Sequence, residues 1–245
     1  MDRLKQTAGE WIAFIKAPTL NLPMSEQSAI KDVAWLFALN CLIVTAIAAV
    51  LFPAMMLLDI EMSSDMSELF KRPVWQILGI VVIVGPIMEE IIFRSWINGN
   101  PRLLIILAAI IAWFGGSHLL ALSGITADTL VPTIAVATVI VLTALFGVFR
   151  CWKAPVPNWY ARIFPIIFWV QALFFGFIHV FNYAGDNPLA LLPFVLPQLI
   201  GGLIWGYARV RYGWWSNIIM HMAYNLIATS GLLYMLFTGG DLISS

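Results

Sequence analysis

The chain has 245 residues, 61% of them apolar or aromatic, and only 13 basic and 13 acidic side chains, so it is 11% charged with a net charge of zero. A soluble domain carries about 25% charged and 45 to 50% apolar residues, so this composition calls for lipid as a solvent. Zero net charge without a basic patch argues against nucleic acid as a partner, and two cysteines, Cys41 and Cys151, are too few for a disulfide framework or a four-cysteine metal site.

Leu4, Ala8, Trp11, Ile12 and Ile15 recur at helical spacing with Lys5 and Lys16 at the edges, which predicts a short interfacial helix within an N-terminal segment 1–32. Pro18 and Pro23 end it. The first long apolar run, Val33 to Leu58, lies too far in and is too long for a cleaved signal peptide. An acidic loop with Asp59, Glu61, Asp65 and Glu68 follows. Further runs cover Val74 to Ile97, Leu103 to Leu122, Leu130 to Phe149, Ile163 to Tyr183, Leu189 to Tyr207 and Trp214 to Phe237. Each run is about 19 to 26 residues long, enough to cross roughly 30 Å of hydrocarbon at 1.5 Å per residue. None alternates apolar and polar as barrel strands do. The expectation is an all-α, polytopic membrane bundle of seven spans in one transmembrane domain, 33–245. Pro193, Pro197 and the Gly201–Gly202 pair predict a bend in the sixth span, and Gly202 and Gly206, four apart, allow close helix contact.

Basic residues set the orientation. Arg3, Lys5, Lys16, Lys31, Arg102, Arg150, Lys153, Arg162, Arg209 and Arg211 fall on one side of seven spans, Lys71 and Arg72 on the other, and Arg94 within the second span. The positive-inside rule makes the N-terminus cytoplasmic and the tail from Thr238 to Ser245 external. If the source is bacterial, the expected location is the plasma (inner) membrane.

A charge at mid-bilayer costs about 2.5 to 3.5 kcal/mol even on the permissive insertion scale, so each one needs a partner or a task. The second span holds Glu89, Glu90 and Arg94. Glu90 and Arg94 share a face at i, i+4, whereas Glu89 is turned about 140° away from Arg94. Arg94 therefore neutralises Glu90, and Glu89 is left over. Pro86 frees a carbonyl in this helix and opens room for polarity. All three histidines, His118, His179 and His221, also lie in spans. Asn225 shares the face of His221, and Asn182 lies one turn after His179. A carboxylate, two imidazoles and a carboxamide meeting inside a membrane can activate water and stabilise an oxyanion.

Glu89-Glu90-Ile-Ile-Phe-Arg94, Phe175-Gly-Phe-Ile-His179 and His221-Met-Ala-Tyr-Asn225, in that order, resemble the three motifs of the CAAX protease and bacteriocin-processing (CPBP, or Abi) family of intramembrane endopeptidases, which includes the type II CAAX prenyl protease. The resemblance covers roughly residues 74–230. One feature departs from it: family members often carry the first histidine a single helix after the glutamate pair, and Phe114-Gly-Gly-Ser-His118 also has the phenylalanine-to-histidine spacing. His179 is preferred because the sequence after it runs on into the final motif, which makes spans three and four an insertion.

The resemblance implies peptide hydrolysis by a glutamate-activated water. Glu89 would be the general base and His179 would help to hold the water. His221 and Asn225 would form the oxyanion hole, and Glu90 with Arg94 the structural pair. No cofactor is expected. The competing arrangement is zinc held by Glu89, His179 and His221; the zincin motif of two histidines flanking a glutamate is absent, and no ligand would be left to serve as base. The expected partners are the lipid bilayer and a hydrophobic or lipidated peptide or protein substrate. Other classes on the same residues are a non-catalytic scaffold or bacteriocin self-immunity protein, which would survive loss of Glu89, and a transporter, whose flux would follow a proton gradient.

Overall fold

The computed structural model describes residues 2–22, 29–122, 130–185 and 187–237. Pro23 and the tail from Thr238 to Ser245 lie outside the described residues. Two compact units emerge, Met1–Ser95 with Phe164–Ser245, and Trp96–Ile163. Six helices among the described residues are long and apolar enough to cross a membrane: Ala29–Leu57, Val74–Arg94, Pro101–Leu119, Thr133–Arg150, Asn158–Asn182 and Pro188–Tyr212. The expected seventh span, Trp214–Phe237, is one unbroken helix of 24 residues, but it carries the polar residues of the site. This is an all-α, multi-pass membrane protein.

The first unit opens with α1 (Asp2–Lys16), which buries Trp11 and Phe14. Its amphipathic face is held at several points. Phe14 packs edge-on to Phe168, Trp169 Nε1 donates to Ile15 O at 3.1 Å, and Arg3 pairs with Asp32 at 2.6 Å. Helix α2 (Ala29–Leu57) runs to the acidic loop and to α3 (Ser64–Phe70), capped by the Ser63 hydroxyl. Just past α2, Met62 forms an isolated antiparallel bridge with Tyr183.

The second span is not a uniform helix. After α4 (Val74–Ile77) the chain winds as a π-helix over Leu78–Val84, then returns to α-helical geometry in α5 (Gly85–Arg94). The Gly85 N–H donates to Ile80 O, five residues back. A Cβ on Gly85 would sit 2.8 Å from that oxygen, so the wide turn closes only around a glycine. Pro86 has no N–H to offer, which leaves Val81 O without a backbone donor. This is the carbonyl expected to be freed by the proline.

The second unit is a helical hairpin of α6 (Pro101–Leu122) and α7 (Leu130–Arg150), packed on each other. Ile110, Ile111, Phe114, Val141, Leu145 and Phe146 are exposed, as suits lipid contact. It contains the spans read from the sequence as an insertion. Helix α8 (Asn158–Ile178) ends in one 3₁₀ turn, His179–Asn182. The bend expected in the sixth span is a break: α9 (Pro188–Leu191), a 3₁₀ turn Leu192–Val195, then α10 (Leu196–Tyr212). Gly202 lets α10 approach closely, since a Cβ there would lie 3.0 Å from the Phe175 ring and 3.4 Å from Arg94 Nη2. Helix α11 (Trp214–Phe237) packs against α5, α10 and the π-helical stretch.

Candidate active site

Three elements of the first unit supply the polar groups: α5 carries Glu89, Glu90 and Arg94, the 3₁₀ turn after α8 carries His179, and α11 carries His221 and Asn225. Glu90 and Arg94 are fully buried and form the expected i, i+4 ion pair. Arg94 Nη1 donates to Glu90 Oε1, and the guanidinium lies 4.2 Å from the centroid of the Phe175 ring. The second oxygen of Glu90 accepts from Asn217 Nδ2. His221 Nδ1 lies 2.9 Å from Glu90 Oε1. Because a carboxylate paired with arginine can only accept, Nδ1 of His221 carries the proton.

Glu89 points elsewhere, as the helical wheel requires. Its Oε2 lies 3.8 Å from His179 Nε2 and 3.7 Å from His221 Nε2, and it has no direct hydrogen-bond partner although the atom is buried. His179 Nδ1 donates to Phe175 O at 2.7 Å, so this imidazole too places its proton on Nδ1. In their neutral forms both rings turn a lone pair on Nε2 toward Glu89. Phe175 packs against both rings, tilted to His179 with centroids 4.8 Å apart and edge-on to His221 at 6.0 Å, and Trp205 stacks on His221 at 3.9 Å.

Two features of the geometry bear on the expected oxyanion hole. As a neutral ring His221 is an acceptor at Nε2, because Glu90 holds its proton at Nδ1; it donates into the site only when doubly protonated. Asn225 is partly engaged, its Nδ2 donating to Val81 O at 2.9 Å, the carbonyl that Pro86 leaves open. Its second N–H is not used by that bond. His118 lies in α6 of the other unit and is exposed, whereas His179 is one of the two imidazoles beside Glu89. Among the described residues no three His, Cys, Asp or Glu side chains are grouped to hold a metal ion.

A family model described as type II CAAX prenyl endopeptidase Rce1-like matches residues 71–227. The chain belongs to that family. The matched stretch contains Glu89, Glu90, Arg94, His179, His221 and Asn225, together with the whole hairpin unit. No curated protein and no solved structure matches the chain. In this Rce1-like protein, sequence reasoning missed Asn217 and Trp205, which hold Glu90 and His221. The signal for Asn217 was its spacing: with His221 and Asn225 it makes an i, i+4, i+8 polar stripe on α11.

Proposed function

We propose that this protein is an intramembrane endopeptidase that hydrolyses a peptide bond in a hydrophobic or lipidated segment, using a water activated by Glu89. The observation that supports this best is the convergence of Glu89 Oε2 with two imidazole nitrogens at 3.8 and 3.7 Å. A water at about 2.8 Å from each fits between such groups. It gives one proton to Glu89 and directs the other toward the Nε2 lone pair of one imidazole, which leaves its own lone pair for the scissile carbonyl carbon. As the tetrahedral intermediate forms, the N–H of Asn225 not used by Val81 O stabilises the developing oxyanion. Collapse of the intermediate returns the proton from Glu89 to the leaving amine. Glu90 and Arg94 stay paired throughout and take no part in the proton transfer. No metal takes part.

The test uses purified protein in lipid with peptides bearing an apolar or lipidated tail. Glu89→Gln keeps the shape and removes the base, so it should fold and bind while losing roughly 10²- to 10⁴-fold in turnover. His179→Ala should abolish turnover and His118→Ala should retain it, and wild-type activity should survive strong chelation. Full activity in Glu89→Gln would sink the mechanism, and activity lost on chelation and restored by zinc would replace it with a metal-dependent one.

A further inference from the structure

Arginine and glutamate one turn apart, both fully buried, have every reason to pair through two parallel bonds, because the guanidinium fork matches a carboxylate. Here they do not. Only Nη1 of Arg94 meets Glu90, while Nε and Nη2 are buried without a hydrogen-bond partner. The carboxylate is instead drawn toward α11: Oε2 accepts from Asn217, and Oε1 is shared between Arg94 and His221. Asn217 is itself fully buried, with its Oδ1 unpartnered. The amide orientation is forced, since its oxygen facing Glu90 would set two acceptors against each other.

We propose that Asn217 is a positioning residue that holds the Glu90 carboxylate on His221 against the pull of Arg94, and so decides which ring nitrogen of His221 faces Glu89. Stacking on Trp205 and the edge of Phe175 fix the plane of the imidazole but not its rotation within the site, because stacking does not distinguish nitrogen from carbon. The bond from Nδ1 to Glu90 makes that choice. Without the Asn217 donor, Oε2 is free to turn to the unpaired guanidinium N–H groups, which are costly to leave unsatisfied in the interior. The ion pair then becomes bidentate, and His221 loses the sole acceptor that held its proton on Nδ1. The effect on turnover rests on the reading of the site as a peptidase; the effect on the imidazole does not.

The chain has three histidines, so the ring ¹⁵N resonances of the full-length protein, labelled at histidine and held in lipid nanodiscs, are assigned by His118→Gln and His179→Gln. Asn217→Leu is close in size and lacks the donor. In the wild type, His221 should show a protonated Nδ1 and a bare Nε2. In Asn217→Leu it should show a mixture of ring states. The kcat should fall about 10- to 100-fold, as when the group orienting a functional histidine is removed. KM should stay unchanged, and thermal unfolding should come no lower than in the wild type because Arg94 gains an acceptor. Asn217→Ala, smaller than the native side chain and also without a donor, carries the same readouts if the leucine variant does not fold. A single unchanged ring state in the variant overturns the proposal, whether or not turnover falls. If the wild type has no peptidase activity at all, a shifted ring state still supports the role of Asn217 while the peptidase reading fails.

Discussion

Glu89 and Glu90 are neighbours in the chain with opposite surroundings. Glu90 is saturated by Arg94, Asn217 and His221, and Glu89 keeps a buried oxygen without a direct partner. They should therefore fail differently. Glu90→Gln removes the charge that balances a fully buried Arg94, and breaking one side of such a pair costs about 3 to 5 kcal/mol. The expected result is low yield and a lowered unfolding temperature in detergent, partly restored by Arg94→Met in the same chain, since deleting a buried pair costs less than breaking it. A Glu90→Gln protein as stable as the wild type would show that the pair is not structural. This division of labour was legible from helical geometry alone, because i, i+4 fixes which glutamate Arg94 reaches. Asn217 was not. It comes three residues after Trp214, where a polar side chain reads as interfacial, and only the position of Glu90 reveals what it binds.

At the scale of elements, the second span combines two features that look independent in sequence. The proline leaves Val81 O open, and Asn225, on a helix far along the chain, donates to it. Asn225→Ala should thus do more than remove the proposed oxyanion donor. It should also lower stability by about 1 kcal/mol, because a half-buried acceptor is left without its donor. Pro86→Ala in that background puts back an N–H and should recover part of the loss. Thermal unfolding of the single and double variants decides the matter: an Asn225→Ala protein of undiminished stability, or a double variant worse than the single, contradicts the link. The freed carbonyl could be read from Pro86. The π-helical stretch before it could not, because one extra residue in a turn leaves no mark on the composition or periodicity of a uniformly apolar segment. The 3₁₀ turn that carries His179 was invisible for the same reason. The break before α10 was announced by Pro193 and Pro197, which are chemically distinct from their neighbours.

For the whole molecule, the direction of each helix in the first unit can be traced through contacts at its two ends. At one end, Arg209 near the close of α10 donates to Arg94 O and Ser95 O, both at 3.2 Å, where α5 stops. Phe14 of α1 meets Tyr207 of α10, and Arg3 of α1 meets Asp32 where α2 begins. At the other end, the segments just past α2 and α8 pair at Met62 and Tyr183. Hence α2 and α8 run one way, α5 and α10 the other, and α11 starts where α10 ends. The hairpin α6–α7 adds two helices between α5 and α8, which preserves the alternation. The end that gathers Arg3, Lys5, Lys16, Arg209 and Arg211 is the basic one, while Asp59, Glu61, Asp65 and Glu68 lie beyond the far end of α2. By the positive-inside rule the start of α11 is expected in the cytoplasm and its finish outside. A reporter fused after Ser245 should read external, and one inserted between Cys151 and Pro157 should read cytoplasmic. If the C-terminal reporter reads cytoplasmic while the second reads as expected, α11 does not cross, and the polar stripe of Asn217, His221 and Asn225 lies on a helix that enters the membrane and turns back.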